Sequence, residues 1–205
     1  YSRKRQRLLG AFCSGHSEPV RHYFDAQAEK ERAHLEAHFP GKRIGVVDTD
    51  RSEQRKIIFV GGDRTRGAYY FYDVTTDVVV HIADAAPWLP EEEMVDMHAV
   101  SYTTRDGLNI EAYLSLPKGA CWKSTTEGGS LCGVGPLPVI VHPHGGPWAR
   151  DDWGFSSEVQ FLCSRGYAVF QMNFRGSTGY GRHFLEASYK QWGLKMQDDI
   201  TDGVE

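Results

Sequence analysis

Between Arg43 and Ala83 the chain repeats one pattern four times: "RIGVVD", "RKIIFV", "GAYYFYD" and "DVVVHIA". Apolar and polar positions alternate with a period of two, which puts successive side chains on opposite faces of a strand. The Val, Ile, Tyr and Phe content suits a pleated, half-buried surface. "DTDRSEQ", "GGDRTR" and "VTTD" separate the runs as turns. Four short strands in succession predict an antiparallel β meander at about 43–82, the unit from which propeller blades are built. Ahead of it, "FDAQAEKERAHLEAHF" has helix-forming composition and stops at Pro40-Gly41. The basic run "SRKRQR" reads as a solvated surface loop. "DAAPWLPEEEM", with two prolines and an acidic run, reads as a linker.

Beyond Met97 the pattern changes. "HAVSYTTRDGLNIEAYLSLP" holds two strands around Asp106-Gly107, a hairpin signal. A glycine-rich loop follows, then the apolar strand "PVIVHP". "SSEVQFLCSRG" opens with a capping box, Ser157 with Gln160, and stops at Gly166; Cys163 falls on its apolar face. "YAVFQMNFRG" is a second apolar strand, and "GYGRHFLEASYKQWG" and "LKMQDDITDGVE" are expected to be helical. In the last of these Met196, Ile200 and Val204 recur every four residues and mark one buried face. Continuous apolar strands alternating with helices predict a parallel sheet covered on both sides.

The strand "PVIV" runs into His142, Pro143, His144, Gly145, Gly146 and Pro147. Glycine pairs are costly to order and usually sit where backbone comes very close to something, although a tight turn alone is also an open reading of this loop. Three chemistries compete. His142 and His144 form an H-x-H pair that suits a shared metal ion, but the glycines add nothing to that account and no further ligand cluster lies nearby. "RGSTGYG", between a strand and a helix, occupies the place of a phosphate loop, yet its spacing fits neither the dinucleotide fingerprint nor the P-loop. The third is an oxyanion hole, in which backbone N–H groups stabilise charge developing on a substrate carbonyl. A glycine-rich HGGG-type loop after an early strand supplies one such donor in α/β hydrolases, and "HGGP" stands in that place. Pro147 has no N–H, so the donor is Gly145 or Gly146.

Composition narrows the partners. The chain has 205 residues, 40% hydrophobic and 24% charged, with a formal net charge of -4. That charge points to no nucleic-acid partner, and no apolar run approaches a membrane span. No cofactor or metal is expected. Of the four cysteines, Cys13 and Cys163 stand alone. Cys121 and Cys132 flank the polar loop "CWKSTTEGGSLC", where free thiols are preferred over a disulfide. Tyr1 is no natural initiator and the last helical pattern has no terminal cap, so the chain is expected to be an internal piece of a longer one. Its compartment stays undetermined, with the cytoplasm preferred.

"HGGPWARDDWGF", "QFLCSRGYAVFQMNFRGSTGYGRHF" and "WGLKMQDDITDGVE" together resemble the opening of the catalytic domain of the prolyl oligopeptidase family of serine peptidases. The likeness is to its acylaminoacyl-peptidase and dipeptidyl-peptidase-like branch, and it covers roughly residues 95 to 205. It implies the N-terminal half of an α/β-hydrolase domain at 91–205, preceded by the end of a β-propeller at 1–90 whose last blade is the meander. It implies a serine-type peptidase acting on short peptides through an acyl-enzyme. Gly145 and Gly146 would form the oxyanion hole, with His144 and Arg175 as structural supports. Arg175, following a buried strand, is expected to pair with a carboxylate such as Asp198, Asp199 or Asp202. No G-x-S-x-G elbow occurs, and Ser177 is flanked two away by Arg175 and Gly179. The catalytic triad is therefore expected C-terminal to Glu205, and this chain alone is expected to be inactive. A carboxylesterase on the same fold, or a non-catalytic binding protein, are the rival readings. Homo-oligomerisation stays open.

Overall fold

The computed structural model describes residues 1–13, 19–125 and 128–204. The chain divides into two compact units, Tyr1–Met94 and Val95–Glu205.

In the first unit a hairpin of β1 (Gly10–Cys13) and β2 (Val20–Tyr23) precedes α1 (Ala26–His38). The hairpin has no strong signal in the sequence. Asp25 caps α1 by accepting from the Ala28 N–H. The same carboxylate receives Arg5 and Arg7, so two arginines of the basic run brace the helix start instead of standing free in solvent. Strands β3 (Arg43–Thr49), β4 (Arg55–Gly61), β5 (Ala68–Asp73) and β6 (Val78–Asp84) form one antiparallel sheet in sequence order. Leu35 of α1 packs on Ile44, Ile58, Val60 and Tyr72, which gives the meander its core. The stretch read as a linker contains one short 3-10 turn, Glu91–Glu93.

In the second unit β7 (Met97–Thr103) and β8 (Asn109–Ser115) pair across the Asp106-Gly107 turn, where Gly107 takes a φ of 87°. The segment read as an open glycine-rich loop contains a further hairpin, β9 (Cys121–Thr125) with β10 (Gly128–Cys132). Cys121 and Cys132 face each other across it and form a disulfide, contrary to the preference for free thiols. Antiparallel register brings their Cα atoms to 5.0 Å, within bonding range. A two-stranded hairpin is marginal alone in water, and closing a loop of this size contributes about 3 kcal/mol in the chain-entropy model. Reduction should therefore speed amide exchange in β9 and β10 while leaving β7 and β8 protected. Equal protection before and after reduction would show that the hairpin stands without its clip.

Then come β11 (Val139–Val141), α2 (Ser157–Ser164), β12 (Ala168–Asn173), α3 (Arg182–Glu186) and α4 (Lys195–Asp202). The sheet order is β11-β12-β8-β7. Only β11 and β12 are parallel; β12 with β8 and β8 with β7 are antiparallel, which corrects the expectation of a parallel sheet. An apolar run reports burial on both faces and carries no direction, and the β7–β8 hairpin fixes the direction of β8. Every residue of β12 is buried. Phe170 and Met172 meet Ile110, Ala112, Phe184 and Met196 on one side, and Val169 meets Val159 and Cys163 of α2 on the other.

Three local readings need correction. The cap of α2 is Ser156, whose side chain accepts from the Val159 N–H, not Ser157. Gln160 serves no capping box; its amide exchanges two hydrogen bonds with the backbone of Val95, at 2.9 and 2.8 Å. In "GYGRHFLEASYKQWG" only Arg182–Glu186 is α-helical, and turns follow, with positive φ at Lys190 and Gly193. Finally, Val204 lies beyond the Gly203 cap of α4 and is 59% exposed, so it shares no face with Met196.

Candidate active-site loop

β12 ends in a turn that reaches back to the loop following β11. The last ladder bond of the parallel pair runs from the His142 N–H to the Phe170 carbonyl, at 2.8 Å. The chain then leaves the sheet. Gly145 and Gly146 are both exposed. Among the described residues nothing accepts from the N–H of either glycine. Gly145 has open space where a Cβ would stand. Gly146 does not: its φ is +129°, and a Cβ would come within 2.9 Å of the Trp148 nitrogen and 3.1 Å of the Ala149 Cβ. Glycine is needed at Gly146 by conformation and by space together.

His144 is held at three points. Its Nε2 lies 2.8 Å from the Ser177 Oγ and its Nδ1 2.9 Å from the Gly145 carbonyl oxygen. Its ring stacks on Phe174, with centroids 4.6 Å apart and planes 15° from parallel. Ser177 is fully buried. Its N–H and hydroxyl both reach the Phe174 carbonyl, at 3.0 and 2.7 Å. Further along, the Thr178 N–H donates to the Ala149 carbonyl at 2.8 Å. The side chain of Asn173 accepts from the Asp151 N–H at 2.8 Å and donates to the Asp151 carbonyl at 3.0 Å, as a neighbouring strand would. Asn173 also donates to the Tyr180 hydroxyl at 2.8 Å, and the Arg150 guanidinium sits over that ring. Burial holds the Asp151 carboxyl above its ordinary range and pushes the Tyr180 hydroxyl higher still. The loop thus hangs on the turn at residues 173–178.

That turn is itself pinned. Arg175 donates through its Nε and Nη2 to Asp199, at 2.8 and 2.6 Å, and Asp199 also accepts the Arg175 N–H at 2.9 Å. Nη1 and Nη2 reach Asp106 at 3.0 and 2.8 Å, and Lys195 closes on the same carboxylate at 3.0 Å. Both Arg175 and Asp199 are buried. The hydrogen bonds from Arg175 hold the Asp106 carboxyl well below the usual carboxylate range. Of the three acidic residues in reach on the helix, Asp199 meets Arg175, while Asp198 and Asp202 meet Arg105. Gly176 has a φ of +97°, and a Cβ there would stand 2.6 Å from the Ser188 Cβ, so the glycines of "RGSTGYG" serve a tight strand-to-helix passage.

The two histidines of the H-x-H pair part company: His142 faces Glu158 at 3.5 Å while His144 turns to Ser177. Among the described residues no group of three or more His, Cys, Asp or Glu side chains is placed to hold a metal ion. No helix among them is long and apolar enough to cross a membrane. Sequence reasoning missed Asn173, Asp151 and Asp106. Asp106 carried only a turn signal, and Asn173 reads as the polar end of an apolar strand.

The glycine amides that follow the parallel strand thus stand without acceptors among the described residues, on a loop braced from β12. Residues 153–205 match the prolyl oligopeptidase family of peptidases. It is 34% identical over 171 residues to dipeptidyl aminopeptidase BIII of Pseudoxanthomonas mexicana, a match that takes in 83% of this chain and 24% of that protein. It is 42% identical over 113 residues to dipeptidyl peptidase family member 6 of Caenorhabditis elegans, covering 51% of this chain and 15% of that one. Among solved structures, a puromycin-hydrolyzing peptidase of Mycobacterium tuberculosis superposes with a TM-score of 0.57 at 25% identity, over 73% of this chain and 22% of that one. The Pyrococcus horikoshii acylaminoacyl peptidase gives 0.58 at 22% identity, over 78% of this chain and 23% of that one. The chain therefore spans at most about a quarter of the length of these relatives.

Proposed function

We propose that the complete protein is a serine-type peptidase that cleaves short peptides through an acyl-enzyme. In this reading Val95–Glu205 is the opening half of an α/β-hydrolase domain, and the meander β3–β6 is the closing blade of a propeller that limits access to small substrates. A serine would attack the scissile carbonyl, and the tetrahedral oxyanion would be met by backbone N–H groups of the Gly145–Gly146 segment. The observation that carries this reading is the pair of exposed, partnerless glycine amides on a loop braced from β12. The names of the relatives, dipeptidyl and acylaminoacyl peptidases, favour substrates cut near their N-terminus. His144 and Arg175 act as supports, and no residue of this chain is assigned as nucleophile, general base or triad acid.

The test uses a fluorophosphonate probe and a set of short peptide substrates. The complete protein should be labelled at one serine and should release peptide fragments, whereas Tyr1–Glu205 alone should take up no label. Labelling of Ser177 or any other serine in this chain would relocate the active site. A complete protein that is neither labelled nor active on peptides or simple esters would be a binding protein on a hydrolase scaffold.

A further inference from the structure

We infer that Ser177 and His144 form a bracket that aims the N–H of Gly146, and that Gly146, not Gly145, is the donor of the loop. The inference rests on the hydrolase reading above for its functional meaning, but its geometry is independent of it. Peptide units are planar, and the C=O of one residue and the N–H of the next point in opposite directions within that plane. The Nδ1 of His144 stands 2.9 Å from the Gly145 carbonyl oxygen. Holding that oxygen holds the Gly145–Gly146 peptide, and with it the direction of the Gly146 N–H. The N–H of Gly145 belongs to the preceding peptide and is not gripped in this way.

The ring that does the holding has little freedom of its own. Phe174 fixes its plane by stacking, and the buried Ser177 Oγ engages the far nitrogen at 2.8 Å. Ser177 is in turn fixed by two contacts to the Phe174 carbonyl. The bracket therefore runs from the β12 turn to one peptide plane through the Ser177 and His144 side chains. It also acts electronically: a carbonyl that accepts a hydrogen bond polarises the N–H of its own peptide. Ser177 and His144 are positioning residues here, since neither needs to touch the substrate.

Two substitutions separate aiming from packing. His144→Phe keeps a ring of similar size to stack on Phe174 but removes both nitrogens. Ser177→Ala removes only the anchor. The chain can be labelled at the glycine carbonyl and nitrogen so that only Gly-Gly peptides report; it contains three, Gly61-Gly62, Gly128-Gly129 and Gly145-Gly146. Both variants should shift the Gly146 amide signal and leave the other two in place. In the complete protein, kcat should fall roughly 10- to 100-fold with KM nearly unchanged, the signature of lost alignment. An unmoved Gly146 amide in both variants would overturn the bracket. So would a shift of all three reporters with a lowered melting temperature, which would make His144 a packing residue only. If the complete protein hydrolyses nothing, the hydrolase reading falls, while the Gly146 signal still decides the bracket.

Discussion

Replacing Gly146 with valine in the complete protein should lower kcat by about 10²–10³, the cost of removing one oxyanion donor. Two independent faults combine. At φ +129° a β-branched residue is strained, and a Cβ would stand 2.9 Å from the Trp148 nitrogen. The loop must move, and the Gly146 N–H turns away from the reacting carbonyl. Binding remote from that carbonyl should suffer less, so a peptide aldehyde should weaken more than a product-like peptide. Gly145→Ala is the control: its Cβ enters open space, so the fold and most of the activity should survive. If Gly146→Val melts normally and keeps kcat within a few-fold, Gly146 is a turn residue and supplies no donor.

The second large effect concerns stability. Arg175→Met leaves Asp199 buried with its carboxylate uncompensated, and removing one partner of a buried pair costs about 3–5 kcal/mol. The urea midpoint should fall accordingly. Adding Asp199→Asn should restore part of the loss, because the stranded charge is gone while an amide oxygen can still accept the Arg175-position N–H. The pH dependence has a definite sign. Asp106 has its pKa depressed, chiefly by Arg175, so the stability it contributes is present above the unfolded carboxylate value of about 3.9 and is lost only as pH falls through the lower folded value. Without Arg175, acid unfolding should begin at higher pH. An Arg175→Met protein with an unchanged urea midpoint and acid limb would show that the cluster adds nothing net.

What could be read from the residues divides by distance along the chain. The four meander strands, the β7–β8 hairpin and β11 and β12 follow from local period and turn chemistry, and they form where the pattern puts them. The β9–β10 hairpin went unread because "KSTTEGGS" is polar on both faces and shows no alternation. Strand direction in the second sheet went unread because an apolar run has no polarity. The shift of the α2 cap by one residue reflects two adjacent serines, of which the backbone uses Ser156. For the candidate loop, the glycines and His144 announce themselves by type and spacing. Their supports do not. Asn173 finds Asp151 across 22 residues, and Arg175 finds Asp106 across 69. Such pairings exist only once the sheet has brought the two ends together.

That separation has a consequence for the order in which the protein is made. A ribosome releases the loop at 142–154 before any of its supports, because Asn173, Ser177 and Thr178 come later and Asp199 later again. At about 5–20 residues per second the loop waits for seconds as an unbraced strand end with two naked glycines. The nascent chain therefore gains its β7–β8 hairpin early and the shape of its candidate site late, when α4 emerges and locks the turn from behind. A stalled chain ending before Asp199 should expose the loop to protease, and one released beyond α4 should not.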